Sequence, residues 1–151
     1  MILLIYNMNT VPLTENDVIE TLNGKKNSPH ENTGDAYFDE YGNCEIKIKG
    51  CPNNVSYFNQ IRPHSDCNYI LIDYGKQHAY FITQVQMCKE IYEYKIASPS
   101  HGKLDCQKLE EVREWSIHLR HSVKNKREKA QLTFKRFANY RDKDIEKKIF
   151  G

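Results

Sequence analysis

Hydrophobic and polar positions change their spacing several times along this chain of 151 residues, and each spacing predicts an element. Val18, Ile19 and Leu22 form an apolar stripe behind Thr14, a residue suited to helix capping. Asp17 stands where a side chain reaches back to the cap, and Gly24 stops the pattern, so a short helix is predicted over 14–23. Residues 1–13 are apolar, broken by Pro12, and read as a docking strand or extended arm. Residues 24–34 carry loop chemistry. Residues 35–39 can form a strand, 40–43 a turn, and 44–49 alternate cleanly as a second strand. Residues 50–54 break it. The apolar run at 68–74 predicts a buried central strand, and 79–83 the next strand after a turn. Residues 84–94 read as a helix with Val85, Cys88, Ile91 and Tyr92 on one side, and 98–103 as a loop. Around 113–120, Trp115, Ile117 and Leu119 alternate as in a strand; Val112, Trp115, Leu119 and Val123 also fit a helix. The β-branched and aromatic residues favour the strand. From about 124 to 148 the pattern is helical and basic. The order predicts an α/β fold, a mixed central β-sheet flanked by helices, in a single domain over 1–151.

Composition narrows the classes. With 39% hydrophobic and 28% charged residues the chain can bury one modest core. The longest purely apolar run, residues 1–5, is far short of the roughly 20 residues that span a bilayer. Nothing basic precedes it, so a secretory signal is not expected. The five cysteines are odd in number and lack any Cys-x-x-Cys pair, which points to a reducing intracellular compartment such as the cytoplasm. Fragments of a zinc pattern exist in His64 and Cys67, with Cys51 or His118 and His121 as further donors. On a strand His118 and His121 point to opposite faces, which argues against that site. Unpaired cysteines serving as small hydrophobes are the simpler reading.

Charge is uneven. Residues 1–100 carry 8 Lys/Arg against 12 Asp/Glu, while 101–151 carry 14 against 8. A basic back half suits a polyanionic partner. Its densest cluster is Lys124, Lys126, Arg127 and Lys129, and His101 and Lys103 lie on a loop that could reach a groove edge.

The chemistry concentrates at Asp35, Glu45 and Lys47. Side chains alternate along a strand, so Glu45 and Lys47 share a face while Ile46 and Ile48 point to the core. Ten residues allow a hairpin that brings Asp35 to that face. Two carboxylates can hold Mg²⁺, a hard cation that prefers oxygen ligands. A lysine beside them can orient or deprotonate a water and balance charge on a phosphate. The alternative is an exposed hairpin face carrying cross-strand ion pairs.

This pattern, a Gly-Asp followed by Glu-x-Lys, resembles the PD-(D/E)xK nuclease superfamily, with Gly34-Asp35 where the superfamily commonly has Pro-Asp. The segment 58–63 (Phe-Asn-Gln-Ile-Arg-Pro), leading into the apolar strand, is similar to a stretch of small type II restriction enzymes, and Ser100-His101-Gly102 is reminiscent of them too. The resemblance covers about residues 14–83. It implies a restriction-endonuclease-like core over about 14–95, with a basic recognition part over about 98–151. It implies Asp35 and Glu45 as metal ligands, with the Ile46 carbonyl, and Lys47 as the catalytic lysine. It also implies a further acidic ligand, Glu20 or Glu31. Gln60 is expected near the metal-bound water or the phosphate, or on a polar surface, and Arg62 either at a phosphate or bracing the fold. The implied activity is Mg²⁺-dependent cleavage of double-stranded DNA, with Mn²⁺ able to substitute, by a homodimer leaving 5′-phosphate and 3′-hydroxyl ends. A structure-specific repair nuclease and a non-catalytic nucleic-acid-binding module are the other readings.

Overall fold

In the computed structural model, residues 13–29, 32–49, 56–100 and 111–151 are described. Helix α1 (Glu15–Thr21) starts as the sequence predicts: Thr14 accepts from the Asp17 amide, and the Asp17 carboxylate accepts from the Thr14 amide. Strands β1 (Lys25–Lys26), β2 (Ala36–Phe38) and β3 (Gly42–Lys49) follow as an antiparallel meander. Next along the chain come β4 (Ser56–Ile61), β5 (Asn68–Asp73) and β6 (His78–Ile82). Strand β5 runs parallel to β3 and antiparallel to β6, giving a mixed five-stranded sheet in the order β1-β2-β3-β5-β6.

Helix α2 (Gln84–Cys88) continues into one π-helical turn, Lys89–Glu93. The strands β7 (Ser98–Pro99) and β8 (Trp115–Arg120) join β4 in a second, antiparallel sheet, order β4-β8-β7. Helix α3 (Lys124–Phe137), a 3₁₀ turn (Ala138–Tyr140) and helix α4 (Lys143–Phe150) complete the chain. No helix among the described residues is long and apolar enough to cross a membrane.

The five-stranded sheet buries both faces. One face carries Cys44, Ile46, Ile70, Ile72 and Ala79, which pack with Val18 and Ile19 of α1 and Ile145 of α4. The other carries Tyr69, Leu71, Tyr80 and Ile82. These pack with Phe58 and Ile61 of β4, Trp115, Ile117 and Leu119 of β8, Met87, Ile91 and Phe137. That two-sided burial explains why β5 reads as a continuous apolar run.

The expected mixed central sheet is present, and a second, three-stranded antiparallel sheet stands beside it because β4 pairs with β8 from the far end of the chain. The sequence shows no clear strand at 56–61, since a bulge over Asn59 and Gln60 interrupts its alternation. The basic helix of 124–148 breaks at Arg141–Asp142, where Asp142 caps α4 by accepting from the Ile145 amide. In the 84–94 helix the buried side chains are Met87, Glu90 and Ile91, whereas Val85 is exposed. The strand reading of 113–120 holds. The 24–34 loop gains β1, whose two lysines pair with β2 only through tertiary contact.

Candidate active site

The hairpin β2–β3 brings Asp35 and Glu45 together. Ala36 pairs with Cys44, so one step further along the register sets Asp35 against Glu45. The Asp35 amide donates to the Cys44 carbonyl at 2.8 Å, and Asp35 Oδ2 accepts from the Ile46 amide at 2.8 Å. Gly34 makes this approach possible. It has φ +84, and a Cβ there would stand 2.6 Å from the carbonyl carbon and oxygen of Cys44. Only glycine lets the chain pass β3 so closely, which is the physical reason for Gly-Asp in this sequence.

Glu45 and Lys47 share a face, as the alternation predicts. Lys47 Nζ lies 2.9 Å from Glu45 Oε1, both side chains largely covered. Ile46 lies on the opposite face, in the core with Ile70. In an extended strand a residue's N–H and C=O leave on the same edge. The Ile46 amide meets Asp35, so its carbonyl leaves toward the same side of β3.

The third carboxylate is Glu15, which the sequence reading passed over. It is the first residue of α1, and its carboxyl hydrogen-bonds the Asp35 side chain. Its pKa is raised, first by burial and then by the Asp35 charge, with Glu45 adding and Lys26 opposing. Glu15, Asp35, Glu45 and Lys26 line one cavity of about 490 Å³ with Asn32, Arg62 and Cys67. Glu20 is exposed near the other end of α1 and does not line this cavity. The helix meets the site with its first turn, and its Val18–Ile19 side is buried in the core. The signal was available, because Glu15 directly follows the helix cap. Glu31 lies outside the described residues.

Cys67 closes the cavity floor. Its thiol is hydrogen-bonded to the Glu45 backbone and pushed up to about 12, first by burial and then by the Glu45 charge. It stands there as a neutral thiol. His64 turns the other way and contacts the Tyr92 hydroxyl at 3.0 Å, so the pair does not form a zinc site. Cys51 lies outside the described residues. His118 and His121 are nearer than strand alternation predicts, with ring centroids 5.2 Å apart, because the strand ends at Arg120 and the chain turns.

Arg62 has two roles in the structure. It lines the carboxylate cavity, and its Nε and Nη2 donate to Glu114 Oε2 at 3.2 and 3.0 Å. A second cavity of about 780 Å³ adjoins the first through Asn32, Arg62 and Ser65 and continues to His64 and Arg113. Gln60 is exposed, has φ +57 in the β4 bulge, and does not line the carboxylate cavity. Its amide donates to Ser100 Oγ at 3.2 Å.

Lys124, Lys126, Arg127 and Lys129 are exposed on the first turns of α3 and stand apart from the carboxylate cavity. Arg127 donates to the Ser122 carbonyl, and Lys129 to Ser98 Oγ. His101 and Lys103 lie outside the described residues.

Among the described residues, no three His, Cys, Asp or Glu side chains stand at metal-ligand spacing. The donor set nevertheless suits a hard cation. It is all oxygen, its like charges repel until a cation or proton neutralises them, and Mg²⁺ needs only one or two carboxylates because it keeps several waters. No family model matches this sequence, and no curated protein or solved structure gives a significant match.

Proposed function

We propose that this chain is a Mg²⁺-dependent DNA endonuclease built on a restriction-endonuclease-like core. The observation that carries the reading is one half-covered pocket holding Glu15, Asp35 and Glu45, with Lys47 2.9 Å from Glu45. A scissile phosphodiester is anionic and has a poor leaving oxygen, so hydrolysis needs charge neutralisation and an oriented water. Asp35, Glu45 and the Ile46 carbonyl would hold the cation, and Glu15 completes the acidic wall. When bound, Mg²⁺ polarises the phosphoryl oxygens and neutralises charge that builds on them.

The chain's own groups do the rest. With a cation held on the Glu45 carboxylate, the Lys47 ammonium would be free to orient the attacking water and to face the charge on phosphorus. Arg62, at the junction of the two cavities, holds an adjoining phosphate. Attack in line leaves a 5′-phosphate and a 3′-hydroxyl. One site per chain cuts one strand, so cutting both strands calls for a homodimer.

Supercoiled plasmid incubated with the protein in Mg²⁺ or in EDTA, beside Lys47→Ala, tests the reading. Mg²⁺-dependent nicked, linear or discrete products, lost in the variant, support it. Cleavage retained in Lys47→Ala overturns the role of this pocket. A panel of branched and duplex DNAs separates a structure-specific from a sequence-specific enzyme. Intact DNA under every condition, with salt-sensitive binding, leaves the non-catalytic binding module.

A further inference from the structure

On the face of the five-stranded sheet that carries Glu45 and Lys47, the buried apolar residues come from β5 and β6 among the described residues, and β1–β3 turn polar side chains to that side. Glu45 and Lys47 are largely covered, whereas Lys25, Tyr37 and Lys49 are exposed. The register states how these side chains line up. Lys25 pairs with Tyr37, and Tyr37 with Asn43. Alternation along β3 then places Asn43, Glu45, Lys47 and Lys49 on the same side. Tyr37 is 44% exposed, although Ala36 and Phe38 beside it are buried.

The row continues onto the second sheet. Lys49 Nζ stands 5.8 Å over the ring of Tyr57 in β4. Tyr57 pairs with His118 of β8, and their rings stack at 5.4 Å and 27°. Phe58 and Ile61 point inward, so the side chains of Tyr57 and His118 occupy the outer face. Lys126 and Lys129 of α3 act on His118 electrostatically, and Lys129 reaches Ser98 on β7. Lysines spaced along two adjoining sheet faces, with aromatic rings between them, match the alternation of phosphates and sugar–base edges in a nucleic acid. An apolar protein partner would meet too much charge here.

We propose that double-stranded DNA docks across these two adjoining faces, outside the lining of the carboxylate pocket itself, with Lys25 and Tyr37 contacting it on the β1–β2 side of the Glu45–Lys47 row and Lys49, Tyr57 and His118 at the far end of that row. This inference rests on the nuclease reading for its substrate. It also divides the basic cluster of α3. Lys126 and Lys129 are three residues apart and share the docking side, whereas Lys124 and Arg127 share another side of the helix. The first pair belongs to the DNA surface and the second does not.

The test is binding of a short fluorescent duplex by the full chain in EDTA, where no hydrolysis intervenes, over a range of salt. Lys25→Ala and Lys49→Ala, both exposed and expected to fold, should each weaken binding several-fold and lower the slope of log affinity against log salt by about one. Lys126→Ala should behave the same way. Lys124→Ala, and Lys147→Ala on α4, should match the parent. Tyr57→Leu should lose affinity with little change in slope, and its melting curve reports whether it has folded. Parent-like affinity and slope in Lys25→Ala and Lys49→Ala overturn the docking surface, as does a parent that binds no duplex. If those variants bind weakly as expected but the parent cleaves no DNA in Mg²⁺, the surface stands and the nuclease reading falls. If the parent cleaves and the lysine variants bind normally, the nuclease reading stands and the surface falls.

Discussion

Arg120 Nη2 donates to Asp73 Oδ1 at 3.0 Å, joining the last residue of β8 to the last residue of β5 and so tying the two sheets together. Asp73 is fully buried, and its Oδ1 also accepts from the Lys76 amide. Removing one partner strands the other charge in the interior. Asp73→Ala should therefore cost about 3 kcal/mol or more. Replacing both, as in Asp73→Leu with Arg120→Met, should recover most of that loss. Urea unfolding of the two variants measures it; a double variant as unstable as the single one would show that the pair matters beyond its charges.

Glu15 makes the pocket's stability depend on pH and on cations. Its folded pKa is raised above the ordinary 4.5, first by burial and then by Asp35. Such a group contributes stability that is fully present below the unfolded pKa and is lost as pH rises through the folded value. Above that window Glu15→Gln should be more stable than the parent in EDTA. Below pH 4.5 the two should converge. Mg²⁺ should raise the melting temperature of the parent more than that of Glu15→Gln. Equal Mg²⁺ shifts in both would remove Glu15 from the cation site.

His118 titrates in the opposite direction. Burial is the first cause of its lowered pKa, followed by His121, Lys126 and Lys129. It is neutral at pH 7, and its contribution to stability grows as pH rises through the window between its folded value and 6.5. In an NMR titration its ring should shift at a pH below 6.5. Lys126→Ala should move that midpoint upward, and no movement would mean that burial alone sets it.

Gln60 holds a left-handed backbone, φ +57, without being glycine. That conformation costs a side-chain-bearing residue about 1–2 kcal/mol. Glycine relieves it but loses about 0.5–1 kcal/mol of chain entropy on folding. Gln60→Gly should thus be neutral or stabilising by up to about 1.5 kcal/mol. Because Gln60 does not line the carboxylate cavity, the variant should also retain cleavage. Loss of cleavage with stability intact would return Gln60 to the catalytic set.

The thiols of Cys44 and Cys67 are pushed up to about 12, in each case chiefly by burial. The thiolate is the reactive form. At pH 8 both should resist iodoacetamide in the folded protein and react after denaturation, as peptide mass spectrometry can read. Rapid labelling of Cys67 in the native state would mean that the floor of the pocket opens.

Much of this architecture is local and therefore legible in the sequence. The Thr14 cap, the β2–β3 hairpin and the apolar run of β5 each depend on residues within one element or its neighbour. The sharing of one face by Glu45 and Lys47 follows from strand alternation alone. What the sequence did not decide depends on contacts between distant segments. β4 is a strand because β8 lies beside it, and its bulge erases the alternation that would have announced it. Glu15, and not Glu20, meets Asp35 because α1 buries Val18 and Ile19 and so approaches the hairpin with its first turn. The periodicity of a helix states which residues share a side, but only packing against the sheet decides which end of the helix reaches the carboxylates.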